Sequence, residues 1–267
     1  MKKKKQIEVS VLIVNYNNKK FVLNAINSIK KQNFKNFEII VIDDQSTDGS
    51  IKILKKLKNI LLLKTKSKKK YPNYNQMNAY LTGFKRSKGK IICFLDSDDF
   101  FEKNKIHHIH NYFETYKETQ ILFDKPFIFH NKKKNYKMKF NSRSKLLIPW
   151  QKFAPQSCIS IRKEYLKKII KKIILFKFPN TWMDFRLVCQ ATIDFGEIKI
   201  LDNYLTYYRQ NPNSQILEFK KKYSLKWWKK REEAHLFQNF IYKKNKKSIN
   251  YSFDRFFTKI INIFLIK

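Results

Sequence analysis

The stretch FLDSDDF, residues 94–100, places Asp96, Asp98 and Asp99 within four positions. Carboxylates packed so closely resist ionising together unless a cation sits among them. Alternate residues of an extended segment point the same way, so Asp96 and Asp98 can converge on one ion, with Asp99 a further candidate ligand. A hard divalent cation takes such oxygens, one or two at a time, together with the phosphate oxygens of a substrate. Any one of these Asp residues could instead cap the next helix or close an Asx-turn. The apolar run IICFL directly before them, and a second acidic pair at Asp43-Asp44, favour the metal reading.

Such groups need strands to carry them. Residues 9–14, 38–43, 60–63 and 91–95 are short apolar runs that read as buried strands. Between them, Val22, Ile26 and Ile29 recur at helical spacing, as do Ile51, Leu54 and Leu57, with Ser46 or Thr47 as cap of the second helix. A further helix is expected over 75–85. Continuous apolar strands alternating with helices predict an α/β fold with a mostly parallel sheet and flanking helices. In such sheets ligands bind at the carboxyl ends of the strands. Three polar clusters fall there: Asn15-Tyr16-Asn17, Asp43-Asp44 and Asp96 to Asp99. Farther on, residues 131–145 read as a loop or edge hairpin, 163–174 and 182–193 as helices, and 198–208 as a strand pair or strand-turn. From about residue 216 the chain reads as helical and basic.

Only four glycines occur, so a GxGxxG dinucleotide fingerprint is impossible. GFKRSKGK (83–90) has the wrong glycine spacing for a P-loop, and a strand follows it where a helix should. A phosphate site built from carboxylates and metal remains.

In order and spacing, VSVLIVNYN (9–17), IIVIDDQSTDGS (39–50) and KGKIICFLDSDDF (88–100) resemble the family 2 glycosyltransferases, whose fold is termed GT-A. The resemblance is strong over about residues 8–104. It continues through Gln76, Ala79 and Gly83-Phe84, then Asp184, Leu187, Phe195-Gly196 and LTYYRQNPNS (205–214). Leu81 stands where the family often has Asn, and Gln210-Asn211 where one branch has His. The resemblance implies a Rossmann-like GT-A fold. Its nucleotide-sugar-binding half would be 1–104, with an acceptor-binding half at 105–215 and a basic amphipathic helical tail at 216–267. It implies that Val14, Tyr16, Asp44, Asp96 and Gln76 meet the nucleotide. Asp98, Asp96 and Asp99 would hold Mn²⁺ or Mg²⁺, and Asp184 would be the general base of an inverting transfer.

The residues themselves support some of these roles. Asp184 lies among Trp182, Met183 and Phe185, and an apolar surround raises a carboxylate toward the range useful for a base. Pairing with Arg186 or capping the helix is the other reading of Asp184. Arg209 suits a diphosphate, because its fork matches phosphate oxygens; a strand-terminal Arg paired with a surface acid is the plainer role. His107, His108 and His110 lack partners at a metal-binding spacing and are expected on a partly exposed helix.

Lys and Arg number 58 against 21 Asp and Glu, a net charge of +37. That excess fits an anionic partner or a composition bias spread along the chain. Cys93, Cys158 and Cys189 are scattered and odd in number, which fits a reducing cytoplasm better than a disulfide framework. No signal peptide and no membrane-spanning run is visible. Phe253, Phe256, Phe257, Ile260, Ile261 and Phe264 form a wide helical apolar stripe. It is expected either to pack on the catalytic domain or to dock peripherally on the inner face of the plasma membrane, with Trp227, Trp228 and Lys229-Lys230-Arg231 nearby.

The expected partners are therefore a nucleotide-sugar donor, specifically a UDP-sugar, a glycan or lipid-linked acceptor of bacterial surface-glycan synthesis, and an anionic membrane surface. A nucleotidyltransferase would show a Gly-rich basic loop after the first strand, and residues 15–20 contain no glycine. A non-enzymatic nucleic-acid binder would leave the acidic strand ends unexplained, since acid repels phosphate without metal.

Overall fold

The computed structural model describes residues 6–66, 69–129, 136–140, 149–210, 223–247 and 252–265. The chain divides into two compact units. The first comprises Met1–Met138, Ala154–Lys168 and Lys199–Arg209; the second comprises Lys139–Phe153, Ile169–Ile198 and Gln210–Lys267.

The first unit is built on one sheet. Its strands are β1 (Val9–Asn15), β2 (Phe37–Asp43), β3 (Leu61–Lys64), β4 (Ile91–Asp96), β5 (Phe100–Phe101), β6 (Ile121–Phe129), β7 (Tyr136–Lys137), β8 (Ile159–Arg162) and β9 (Lys199–Arg209). They lie in the order β3-β2-β1-β4-β8-β6-β9-β5, with β7 added on β6. The pairs β2–β3, β1–β2 and β1–β4 are parallel, as the alternating pattern predicts. Past β4 the sheet turns mixed: β8 runs antiparallel to both β4 and β6, while β6 and β9 are parallel. Strands from beyond residue 104 thus complete the sheet begun by the first hundred residues. Residues 199–209 form one continuous strand in place of the strand pair or strand-turn expected over 198–208.

Helices α1 (Val22–Lys30), α2 (Ser50–Leu54), α3 (Pro72–Arg86) and α4 (Lys105–Thr115) cover the sheet. Val22, Ala25, Ile26 and Ile29 of α1 are buried, the stripe read from their spacing. Neither Ser46 nor Thr47 caps α2. It begins at Ser50, whose N–H is held by Asp48 Oδ1 at 2.9 Å, after Gly49 at φ +84°. Two glycines permit close approach: a Cβ on Gly83 would lie 2.6 Å from Ile42 Cδ1, and one on Gly89 would lie 2.4 Å from Ser10 N. The three histidines lie on α4, with His107 and His108 exposed.

Helix α5 (Lys163–Ile173) contains the division between units. The second unit holds α6 (Met183–Phe195), α7 (Leu225–Lys244) and α8 (Phe253–Leu265). Phe178, Phe185, Cys189, Phe237 and Ile241 are its core, with Trp150 packed against them. The stripe on α8 does not pack inward as one expectation had it. Helix α8 meets α7 through polar residues: Asp254 takes Arg231 Nε and His235 Nε2, the latter at 2.8 Å, and Asn262 Nδ2 donates to Trp228 O at 3.2 Å. Most of residues 131–145, all of 216–222, and the Asn211–Ser214 end of the last motif lie outside the described residues. No helix among the described residues is long and apolar enough to cross a membrane.

Candidate active site

The parallel register gathers the three polar clusters. Asn15 pairs with Asp43 across β1–β2, and Val14 pairs with Asp96 across β1–β4. The chain runs outward from β1 through β2 to β3, then returns to lay β4 on the other edge of β1. That reversal is the switch point at which open α/β sheets bind ligands.

Side chains lock the loops there. Asn15 Nδ2, fully buried, donates to Asp43 Oδ1 at 2.8 Å, Ser50 Oγ at 3.0 Å and Ser46 Oγ at 3.1 Å. Ser46 Oγ thereby ties the loop after β2 to β1; it lies four residues before the start of α2. Asn17, at φ +51°, accepts from Thr47 N at 2.8 Å. Asp44 is buried and accepts from Thr65 Oγ1 at 2.6 Å, which anchors it to the end of β3. Val14 is buried at the same strand end and Tyr16 is half-buried just beyond it.

At the end of β4 the three aspartates diverge. Asp96 is half-buried, and its Oδ1 accepts from Gln76 Nε2 at 3.0 Å and Tyr80 Oη at 2.8 Å. Gln76, expected on the nucleotide, here orients a carboxylate expected on the nucleotide. Burial first, and Asp96 second, push the Tyr80 hydroxyl well above its ordinary range, so it stays a proton donor. Asp99 is turned inward at 1% exposure, with Oδ2 on Ser157 Oγ at 2.5 Å and Oδ1 on Arg209 N at 2.8 Å. Burial, then Asp98 and Asp96, raise its pKa well above the usual carboxylate range. Asp98 is half-buried, and burial raises its pKa while Arg209 opposes the rise.

Among the described residues no three His, Cys, Asp or Glu side chains form a ready metal cage. Mg²⁺ and Mn²⁺ need none: they take one or two carboxylates and complete their shell with phosphate oxygens and water. A half-buried Asp98 carboxylate whose ionisation burial penalises is suited to such a cation. Asp96, half-buried and oriented by Gln76 and Tyr80 through Oδ1, stands two positions before Asp98 at the same strand end. Asp99, the third expected ligand, already has both oxygens engaged by the protein, so the donor set that fits is Asp98 with Asp96.

Arg209 ends β9 beside these acids. Its Nε donates to Asp98 O at 2.8 Å, and its guanidinium lies over the rings of Phe21 at 4.6 Å and Phe129 at 4.7 Å. It is 7% exposed.

Behind this rim lies a buried polar network that the sequence does not announce. Ser157 Oγ holds both Asp99 and the N–H of Asp96, the latter at 3.0 Å. Its carbonyl accepts from Lys105 Nζ at 2.8 Å, and Lys105 also donates to Asp124 Oδ1 at 2.6 Å and Thr206 Oγ1 at 2.7 Å. Tyr80 was within reach of sequence reasoning, since it follows Gln76 at i+4 on a helix. Ser157, Lys105 and Asp124 carried no such signal.

Asp184 belongs to the second unit, in the first turn of α6. Its Oδ1 accepts from Phe185 N at 2.7 Å. Burial raises its pKa, while the Phe185 N–H and the charge of Lys230 pull the other way. Arg186 gives its guanidinium to the carbonyls of Ile173, Leu175, Phe178 and Thr181. Glu233 accepts from Asn180 N, Asn180 Nδ2 and Thr181 N at 2.5–3.0 Å. Together they clamp the loop that leads into α6.

Residues 10–173 match the sequence pattern of "Glycosyl transferase family 2". The chain belongs to this family. An uncharacterized glycosyltransferase of Nostoc sp., alr2836, is 30% identical over 217 residues, 76% of this chain and 65% of its own. WfaP of Escherichia coli, a UDP-Glc:alpha-D-GlcNAc-diphosphoundecaprenol beta-1,3-glucosyltransferase, is 36% identical over 111 residues, 41% of this chain and 42% of its own. The chain thus spans less than two thirds of the length of these curated relatives. The crystal structure of Staphylococcus aureus TarS 1-349 with UDP-GlcNAc superposes at TM-score 0.62, with 18% identity, over 96% of this chain and 70% of that one. The family 2 GT-A fold is therefore that of this chain, and its family membership sets aside the nucleotidyltransferase and nucleic-acid-binding readings.

Proposed function

We propose that this chain transfers a sugar from a UDP-sugar to a hydroxyl of a glycan or lipid-linked acceptor, with inversion at the anomeric carbon. The observation that carries this reading is the strand-end register that sets Val14, Tyr16 and Asp44 beside Asp96 and Asp98. Half-buried Tyr16 offers a ring for the base to stack on, and Asp44 an acceptor for a base N–H. UDP and UDP-GlcNAc in the related TarS crystals, and the lipid-linked acceptor in the name of WfaP, support the substrate classes.

Breaking the bond to the anomeric carbon leaves negative charge on the diphosphate. Asp98 and Asp96 would hold the Mn²⁺ or Mg²⁺, which when bound supplies electrostatic stabilisation to that leaving group. Arg209, fixed by Asp98 O and two aromatic rings, adds a positive charge that needs no reorganisation. Asp184 takes the acceptor proton; with Oδ1 bonded to Phe185 N–H, Oδ2 is the receiving oxygen. Its raised pKa brings it nearer the operating pH, where a base is most effective. The three cysteines are free and buried, which fits work in a reducing compartment such as the cytoplasm.

A thermal-shift screen of UDP-sugars with and without Mn²⁺ tests the reading. A donor at a hundredfold excess over its Kd adds about 2.7 kcal/mol of stability. The shift is expected to need the metal. No shift from any uridine nucleotide, with or without Mn²⁺, sinks the proposal.

A further inference from the structure

We propose that the outward face of α8 is a docking surface for an anionic membrane. Phe253, Phe256, Phe257, Ile263 and Phe264 of this helix are each between 46% and 75% exposed. Their spacing, i, i+3, i+4, i+10 and i+11, puts them on one stripe, with Ile260 at i+7 between them. A helix that merely packs on its own protein buries such a stripe. This one does the reverse: Ser252, Thr258 and Asn262 are the residues at 1% exposure. The Asp254 contacts to Arg231 and His235, and the Asn262 bond to Trp228 O, hold the polar side against α7 and so fix the apolar side outward. A contiguous exposed apolar face of this kind marks an interaction site.

Charge selects the occupant. The chain carries +37, and Lys229, Lys243 and Lys244 of α7 and Lys259 of α8 are exposed. A second copy of the chain would bring the same positive charge and be repelled; an acidic lipid surface would be attracted. Amphipathy fixes the manner of binding. One side of α8 carries the phenylalanines, while the other is held to α7 through Asp254 and Asn262. The helix therefore lies in the interface plane, with its phenylalanines at the acyl boundary and lysines toward headgroups.

The inference does not rest on the proposed reaction, because binding is measured with no donor present. The full chain is mixed with vesicles of phosphatidylcholine alone, or of phosphatidylcholine with phosphatidylglycerol, and floated on a density gradient. Flotation is expected with the anionic vesicles, and weaker at ~1 M salt, where the Debye length falls to about 3 Å. The triple variant Phe256→Ser, Phe257→Ser, Phe264→Ser is expected to bind on the order of 100-fold more weakly, by loss of buried aromatic area, at an unchanged unfolding midpoint. Phe257→Trp, which keeps the face apolar, is expected to shift its emission to the blue on anionic vesicles. The proposal is overturned if the wild type stays with the unbound fraction, or if the folded triple variant floats like the wild type. An emission unmoved by vesicles also overturns it. So does a wild-type dimer that the triple variant converts to monomer, which would give the face to a second copy.

Discussion

Lys105 Nζ lies 2.6 Å from Asp124 Oδ1, and neither side chain reaches solvent. The ammonium also sits 4.0 Å from the centroid of the Phe101 ring. Through the carbonyl of Ser157 this pair supports the hydroxyl that grips Asp99 and the Asp96 N–H. A buried pair broken on one side leaves an uncompensated charge. Lys105→Met should therefore lose about 3–5 kcal/mol in urea unfolding. Adding Asp124→Leu should recover most of that loss, since an apolar replacement of both partners is close to neutral. The double variant should still bind UDP about 10-fold or more weakly, because Ser157 has lost its support. Wild-type UDP affinity in a stable double variant would show that the pair acts on folding alone.

The three aspartates at the end of β4 should respond differently to loss of charge. Asp98→Asn is expected to abolish the Mn²⁺-dependent part of the UDP-induced thermal shift. Asp99→Asn should keep that part and cost less than about 1 kcal/mol, because burial and two like-charged neighbours already favour a neutral Asp99. Asp99→Ala should cost about 1–3 kcal/mol, since Ser157 and Arg209 N would lose their acceptor. An Asp99→Asn protein blind to Mn²⁺ would return Asp99 to the metal.

Gly89 is a purely steric constraint. A Cβ there would meet Ser10 N at 2.4 Å and Val9 C at 2.6 Å, both backbone atoms of β1. Backbone in a central strand cannot step aside as a side chain can. Gly89→Ala should lose about 1–3 kcal/mol, the range for overpacking, seen as a lower denaturation midpoint.

The parallel half of the sheet was readable because each strand is an apolar run that ends in polar residues. Asn15, Asp43-Asp44 and Asp96 to Asp98 advertised themselves by breaking such runs. The mixed half was not, since β6, β8 and β9 pair across long stretches of chain and β9 mixes charged, polar and apolar residues instead of staying apolar. The same distance hid the support of the site. Lys105 is one of 58 basic residues, and only strands that return 19 and 101 residues later make it a buried cation. Asp99 looked like its neighbours until Ser157 and the β9 backbone claimed its oxygens. The stripe on α8 was plain, but its direction depends on Asp254 finding partners on α7, which spacing alone does not specify.

Asp184 yields a pH prediction with a definite sign. Burial disfavours its charged form, so its pKa is raised and the base is lost as pH falls through that raised value. The acid limb of kcat/KM should lie above the ordinary aspartate range. Linkage runs the opposite way: the carboxyl favours the fold when protonated, and that contribution is lost as pH rises from the unfolded to the folded pKa. Asp184→Asn should lower kcat by about 10²–10⁴-fold, with the acid limb gone and the fold intact. Lys230 holds the carboxylate down by its positive charge. Lys230→Gln should therefore move the acid limb to higher pH while leaving the plateau rate near wild type. If the limb stays put in Lys230→Gln, some group other than Asp184 titrates in the transfer step.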